Sequence, residues 1–305
     1  MMHNSSHVRV FFLSGFNVTM TNRVALFSVM LLCYFFIVLI NVVLIVTIIL
    51  DKHLHEPMYI LLCSLCVNGL YGTTKILWDL LSPVHVISYS GCLVQAFVIH
   101  AFVSNDMSIL AVMSYDRYVA ICRPLVYHSV MSKKILLMFI SFSWFTPFCI
   151  SAVTMILTSR LKLCSPYIAR LYCVNLNIVK LACLTAETVV NNIVSNLTVT
   201  FFLFQGFLIV WSYVFVIRTC VNSLENRARF MQTCVPHLTS LLFFVVTMLL
   251  DVFNLKFGSN LSLTIQNVIA IELLILPPII NPLVYGFKLT KIRIRILSVI
   301  TFKIK

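Results

Sequence analysis

Seven stretches of the chain stay apolar for about the length of a membrane crossing. They are Val24–Leu50, Pro57–Trp78, Cys92–Cys122, Ile135–Thr158, Asn191–Ile217, Ala228–Phe253 and Ser262–Phe287. At about 1.5 Å per residue, each can cross ~30 Å of hydrocarbon as an α-helix. Polar and charged residues collect between them. The pattern predicts an all-α membrane protein built as a seven-transmembrane helix bundle. It divides the chain into an extracellular N-terminus (1–23), the helical domain (24–287) and a cytoplasmic tail (288–305). The tail begins Lys288-Leu289-Thr290-Lys291-Ile292-Arg293-Ile294-Arg295-Ile296-Leu297, alternating basic and apolar residues. That suits a short amphipathic helix lying on an anionic inner leaflet, with membrane lipid as its partner.

Composition strengthens this picture. The chain is 61% hydrophobic and 10% charged. Soluble domains average about 45–50% apolar and about 25% charged residues, so a water-soluble core cannot absorb this sequence. The net charge of +13 does not indicate nucleic acid, because the basic residues lie between the apolar spans. Their placement reads as topology. Thirteen Lys/Arg fall in segments on one side: Lys52, Arg123, Lys133, Lys134, Arg218, Arg227, Arg229, Lys288, Lys291, Arg293, Arg295, Lys303 and Lys305. Seven fall on the other: Arg9, Arg23, Arg160, Lys162, Arg170, Lys180 and Lys256. The positive-inside rule then places the N-terminus outside. Two glycosylation sequons, at Asn4 and Asn17, agree with that orientation. The first 23 residues lack the layout of a cleavable signal peptide, so the first span is expected to direct insertion.

The third span ends Met113-Ser114-Tyr115-Asp116-Arg117-Tyr118-Val119-Ala120-Ile121-Cys122. An arginine at a bilayer edge is costly unless it is paired, and Asp116 is its local partner. Leu54-His55-Glu56-Pro57-Met58-Tyr59 enters the second span, with Pro57 suited to a first helical turn. Ser212-Tyr213 closes the fifth span. Arg227-Ala228-Arg229-Phe230-Met231-Gln232-Thr233-Cys234-Val235-Pro236-His237-Leu238 opens the sixth. The seventh ends Asn281-Pro282-Leu283-Val284-Tyr285. A proline within an apolar helix frees a backbone carbonyl, which Asn281 can re-satisfy.

These runs together resemble the odorant receptors of the rhodopsin-like G-protein-coupled receptor superfamily. Leu62 to Thr74 looks most like fish members. Pro236 departs from the small polar residue usual there and is expected to kink the sixth span. The sixth span also lacks the Trp of most non-olfactory relatives.

The resemblance implies a plasma-membrane receptor in cilia or microvilli of olfactory neurons. It implies a small-molecule odorant, a heterotrimeric G protein of the stimulatory (olfactory) type, and no cofactor. Asp116, Arg117, Tyr118, Tyr213, Asn281, Pro282 and Tyr285 would carry activation. The ligand would sit between the outer halves of spans three, five, six and seven, against Phe97, His100, Ser104, Met107, Val194, Leu197, Met248, Val252 and Lys256.

Four cysteines fall on the oxidising side: Cys92, Cys164, Cys173 and Cys183. Spacing alone allows three pairings. The resemblance implies Cys92–Cys173 and Cys164–Cys183.

Asp106 lies eleven residues before Arg117, on nearly the same helical face at about 100° per residue. An acid at mid-membrane is a functional candidate. It can bind sodium, stand protonated, or be satisfied by neighbouring hydroxyls and amides. The family's usual acid in the second span is Gly69 here, which leaves Asn68, Asn105 or Asn281 as neutral oxygen donors for a sodium ion. Lys256 favours an acidic ligand unless it is a solvated lysine. Asp251 or Glu272 can neutralise it, or face an amine ligand.

Other function classes have less behind them. An ion or proton transporter could relay through Asp106, Asp251 and Glu272, but no inverted repeat is visible. A light-driven protein needs a Schiff-base lysine in the seventh span, which has none. A non-olfactory receptor for an amine or peptide fits the three-cysteine outer loop poorly. No HExxH or nucleophile–base spacing suggests an enzyme.

Overall fold

Each apolar stretch folds as one long helix. The computed structural model describes residues 9–13, 20–80, 86–183, 186–221, 224–257, 261–288 and 292–295. Among these, the side chains of 20–26, 75–80, 186, 221, 224–233, 256–257 and 287–288 are outside the description. The seven long helices are α1 (Met20–Leu50), α2 (Pro57–Leu80), α3 (Tyr89–Cys122), α5 (Lys133–Ser159), α7 (Ala186–Val221), α8 (Leu224–Phe257) and α9 (Leu263–Lys288). Two short helices, α4 (Tyr127–Val130) and α6 (Asn175–Lys180), lie in the connections. Six of the long helices are apolar enough to cross a membrane, and α2 is the exception among the described residues. The reason is visible in its sequence. α2 carries Ser64, Asn68, Thr73 and Thr74, and two of these, Asn68 and Thr73, are buried against the other helices.

α3 is the central post. The apolar window of α3 is 72% buried, against 22% in α1. α3 packs against α2, α5, α7 and α8. The outward faces of α1, α5, α7 and α8 expose Leu32, Phe35, Phe145, Leu203, Phe207 and Leu249. Such a belt is unfavourable in water and natural in lipid.

Prolines lie inside the continuous helices α5, α8 and α9. Pro282 has no N–H to give the carbonyl one turn earlier, that of Pro278. Asn41 of α1 supplies it, its Nδ2 donating to the Pro278 oxygen at 2.8 Å. The partner expected from sequence was Asn281, so the repair comes from another helix. Gly69 of α2 faces the same proline. A Cβ there would stand 3.2 Å from the Pro278 Cβ, so the position has little room for an acid.

The chain is not purely helical. Strands β1 (Val10–Leu13), β2 (Val86–Ser88) and β3 (Tyr167–Ile168) form a small sheet in the order β2-β1-β3. β1 runs antiparallel to β2, with Phe11 opposite Ile87, and parallel to β3, with Phe12 opposite Tyr167. Alternation sets the burial: Val10 and Phe12 are exposed while Phe11 is fully buried. Phe11 packs with Cys92, Ala96, Met155, Ile168, Cys173 and Ile178. Disulfides Cys92–Cys173 and Cys164–Cys183 close the same end, in the pairing the resemblance implies.

At the opposite end, Ile292–Arg295 forms a helical turn. Ile292 is buried in the main core, and Arg295 Nε meets Asp51 Oδ2 at 3.2 Å. The rest of the expected amphipathic helix, and both sequons, lie outside the described residues.

Candidate functional site

The end of α3 away from the disulfides holds a buried ion pair. Arg117 Nε donates to Asp116 Oδ2 at 2.9 Å, and a second guanidinium nitrogen contacts the same oxygen. The other carboxylate oxygen accepts from the Tyr127 hydroxyl of α4 at 2.9 Å. Burial, then the nearby Asp116 carboxylate, pushes the Tyr127 phenol above its ordinary range, so it stays a donor. Arg117 is only 9% exposed. A charge this buried must be paired, and the acid beside it meets that need. Tyr118 meets Phe215 of α7 edge-on, with Arg123 over its ring. Tyr127 carries no signal in the Asp-Arg-Tyr triplet itself.

About two turns deeper, His237 joins three helices. Its Nε2 lies 3.2 Å from the backbone oxygen of Leu110 in α3. Facing a carbonyl, that nitrogen must carry the proton. Nδ1 of the neutral ring then accepts from the Tyr213 hydroxyl of α7. The two rings also stack, 5.6 Å apart and 17° from parallel. Tyr285 of α9 is fully buried beside Ser240 of α8, and Asn281 and Pro282 are buried on the same helix. Arg117 is near enough for its charge to reach Tyr213, His237 and Tyr285. Six of the seven expected residues thus crowd the lower half around Arg117 or line α9 beside it. Tyr118 turns toward α7 instead.

Asp106 sits higher on α3, buried. Asn68 Nδ2 donates to its Oδ1 at 2.8 Å and to the Phe102 carbonyl at 2.9 Å. Asn105 Nδ2 donates to Asn68 Oδ1 at 3.0 Å. The acid is therefore met by an amide N–H. Asn68 Oδ1 is taken by the Asn105 bond, while Asn105 Oδ1 is buried without a hydrogen-bond partner. One amide donor, Asn68, thus meets the Asp106 carboxyl.

The expected ligand residues divide. Ser104 and Met107 are buried, with no partner for the Ser104 hydroxyl. Val194 and Met248 are half-buried. Leu197 is 64% exposed and Val252 is 41% exposed, so both face outward and leave the interior set. The helical phase explains it. Leu197 trails Val194 by about 60° and Val252 leads Met248 by about 40°. His100 and Phe97 turn toward α5, His100 Nδ1 meeting Ser151 Oγ at 2.7 Å and Phe97 packing on Phe148. Lys256 falls in the last turn of α8 rather than beyond it, and its side chain is outside the described residues. Gln205, unforeseen, joins the interior: its Nε2 donates to Ser108 Oγ at 2.7 Å while Oε1 has no partner.

Asp251 pairs with Arg170 from the loop between α5 and α7. Glu272 is half-buried on α9.

The family model for olfactory receptors matches residues 29–303. Human olfactory receptor 4M1 is 30% identical over 98% of this chain and 96% of its own length. Human olfactory receptor 4Q2 is 34% identical over 92% of this chain and 90% of its own. Mouse olfactory receptor 4M1 is 28% identical over 93% and 92%. With its apolar helices, the chain is a multi-pass membrane protein and a non-enzymatic receptor. It belongs to the olfactory receptor family of G-protein-coupled receptors.

Proposed function

We infer that the chain is a seven-span odorant receptor of the plasma membrane of sensory cilia or microvilli, with its N-terminus and disulfides outside. The odorant is a small water-soluble molecule, held between α3, α7, α8 and α9 in the disulfide half. Met107, Val194 and Met248 offer apolar contact there, and the Ser104 hydroxyl and Gln205 Oε1 offer polar contact. Such a set suits an apolar body with one or two hydrogen-bonding groups. At the other end the partner is a stimulatory G protein, and the output is cAMP.

The observation that carries this reading is the buried Arg117, held by Asp116, with Tyr127 on the same acid. A ligand shifts an equilibrium only by its differential affinity for two states. In the resting state the arginine is sealed. In the active state α8 moves away, His237 lets go of Leu110, and Arg117 is released to the partner. Tyr213 and Tyr285 then hold the opened arrangement.

A cAMP assay with a stimulatory olfactory G protein tests this, using a panel of acids, amines, alcohols and aldehydes. A panel response that Arg117→Ala abolishes at matched surface level is expected. Normal signalling by Arg117→Ala overturns the mechanism.

A further inference from the structure

The loop between α5 and α7 is fixed on one side and latched on the other. On the α3 side, strand β3 sits in the small sheet and Cys173 is bridged to Cys92. The Cys173 N–H also donates to Gln95 Oε1 of α3 at 2.7 Å. Between β3 and Cys173 run Arg170, Leu171 and Tyr172. Leu171 and Tyr172 are buried against Ile99 and Phe102 of α3 and Ala270 and Leu274 of α9, so they close the disulfide end between these helices.

On the far side the same segment holds α8 and α9 without covalent bonds. Arg170, 3% exposed, pairs with the buried Asp251 of α8 and lies over the Tyr172 ring at 5.2 Å. The Tyr172 hydroxyl donates to the Ala270 carbonyl of α9 at 2.7 Å. Farther along the loop, Lys180 Nζ donates to the Leu255 carbonyl of α8 at 2.8 Å. The two helices are joined to each other here, Asn254 Nδ2 donating to the Gln266 carbonyl at 2.9 Å. A buried ion pair is costly to break when one charge is left behind in the interior. If the gap between loop and helix opens, water reaches both charges together and neither is stranded. The pair therefore holds or releases as a unit.

Val103 of α3 lies directly beneath. It touches both the loop cluster and the main core, yet is only half-buried. It stands nine residues from Val94, which is 50% exposed, and so is turned about 180° from that outward side. Its free surface faces into the bundle.

We propose that the Arg170–Asp251 pair is the latch of the odorant's entrance. The loop is the fixed post, and the outer ends of α8 and α9 draw back from it to admit a molecule from solution. This rests on the reading that the disulfide end faces outward and the odorant sits within the bundle.

The test is the accessibility of a reporter thiol, Val103→Cys, to a cationic, membrane-impermeant methanethiosulfonate added outside intact cells. The four outer cysteines are in disulfides, and the chain without Val103→Cys sets the background. Labelling is read as mass added to the purified chain against time. It is expected to be slow while the latch is intact. The pair Arg170→Gln with Asp251→Asn strands no charge and leaves the net charge unchanged, so attraction for the reagent stays the same. It should speed labelling at least about tenfold, the factor that about 1.4 kcal/mol represents. Tyr172→Phe, which frees only the Ala270 carbonyl, should speed it a few-fold. Fast labelling of the latched chain, or a rate unchanged by the neutral pair at matched surface level, overturns the latch. Staining of an N-terminal tag in intact cells checks the orientation, and the cAMP panel checks the odorant reading. Unchanged labelling in a correctly oriented, odorant-responsive chain removes only the latch. Faster labelling in a chain silent to every odorant removes only the odorant reading.

Discussion

The two ends of the bundle are fastened by different means. At the disulfide end, two covalent bridges, a three-stranded sheet and the buried Phe11 tie the loops to α3. At the Arg117 end, the described ties are non-covalent: the Asp116 pair, the Tyr127 hydroxyl, the His237 link and the exposed Arg295–Asp51 pair. Covalent closure removes freedom that hydrogen bonds worth about 1 kcal/mol each leave in reach. Large movement in this fold therefore belongs to the Arg117 end. In the proposed function, a ligand held near the stiff end acts on a rigid frame whose far side opens.

Three substitutions break or sharpen that contrast. The largest effect is expected for Cys173→Ser. It opens the bridge to α3 and costs about 2–5 kcal/mol. Surface delivery, scored by labelling an external tag, should collapse. Normal delivery and response would show that the stiff end does not depend on its bridge. Next is His237→Phe, which keeps the ring stack but leaves the Tyr213 hydroxyl and the Leu110 carbonyl without their bond. A loss of about 1–2 kcal/mol from the resting state raises the active population roughly 5- to 30-fold. Basal cAMP should rise at equal surface level. Lower basal signalling would mean that the histidine supports the active state instead. The smallest is Tyr127→Phe. It removes one donor from Asp116 while the Arg117 pair remains, at about 0.5–1.5 kcal/mol. A few-fold increase in basal cAMP is expected, and no change would leave Arg117 as the sole functional partner of Asp116.

The helices were legible because lipid demands long uninterrupted apolar runs, and the chain supplies them. Arg117 and Asp116 were legible because neighbours in sequence can be neighbours in space. The failures have the opposite cause. Asn41 reaches Pro278 and Arg170 reaches Asp251 from 237 and 81 residues away along the chain, with no local pattern to betray them. Strand β1 is four residues long, too short to show its alternation beside the apolar first span. Leu197 and Val252 were misplaced by helical phase alone, since an i, i+3 or i, i+4 step drifts from the stripe it is meant to follow. Gly69 stands where the resemblance leads one to expect an acid, and the sequence shows the absence without its reason. The ring of Pro278 is pressed against it.

The small sheet also has a history in time. β1 leaves the ribosome before either of its partners, and β3 follows only after α1, α2, α3 and α5 have been made. Until then Phe11 has neither the β3 strand nor Cys173 to cover it. Early closure of this cap is topologically impossible, so the nascent chain carries an exposed aromatic strand edge through most of its insertion, the kind of surface that folding assistants recognise. The firmest end of the finished receptor can close only after four of its seven long helices have been made.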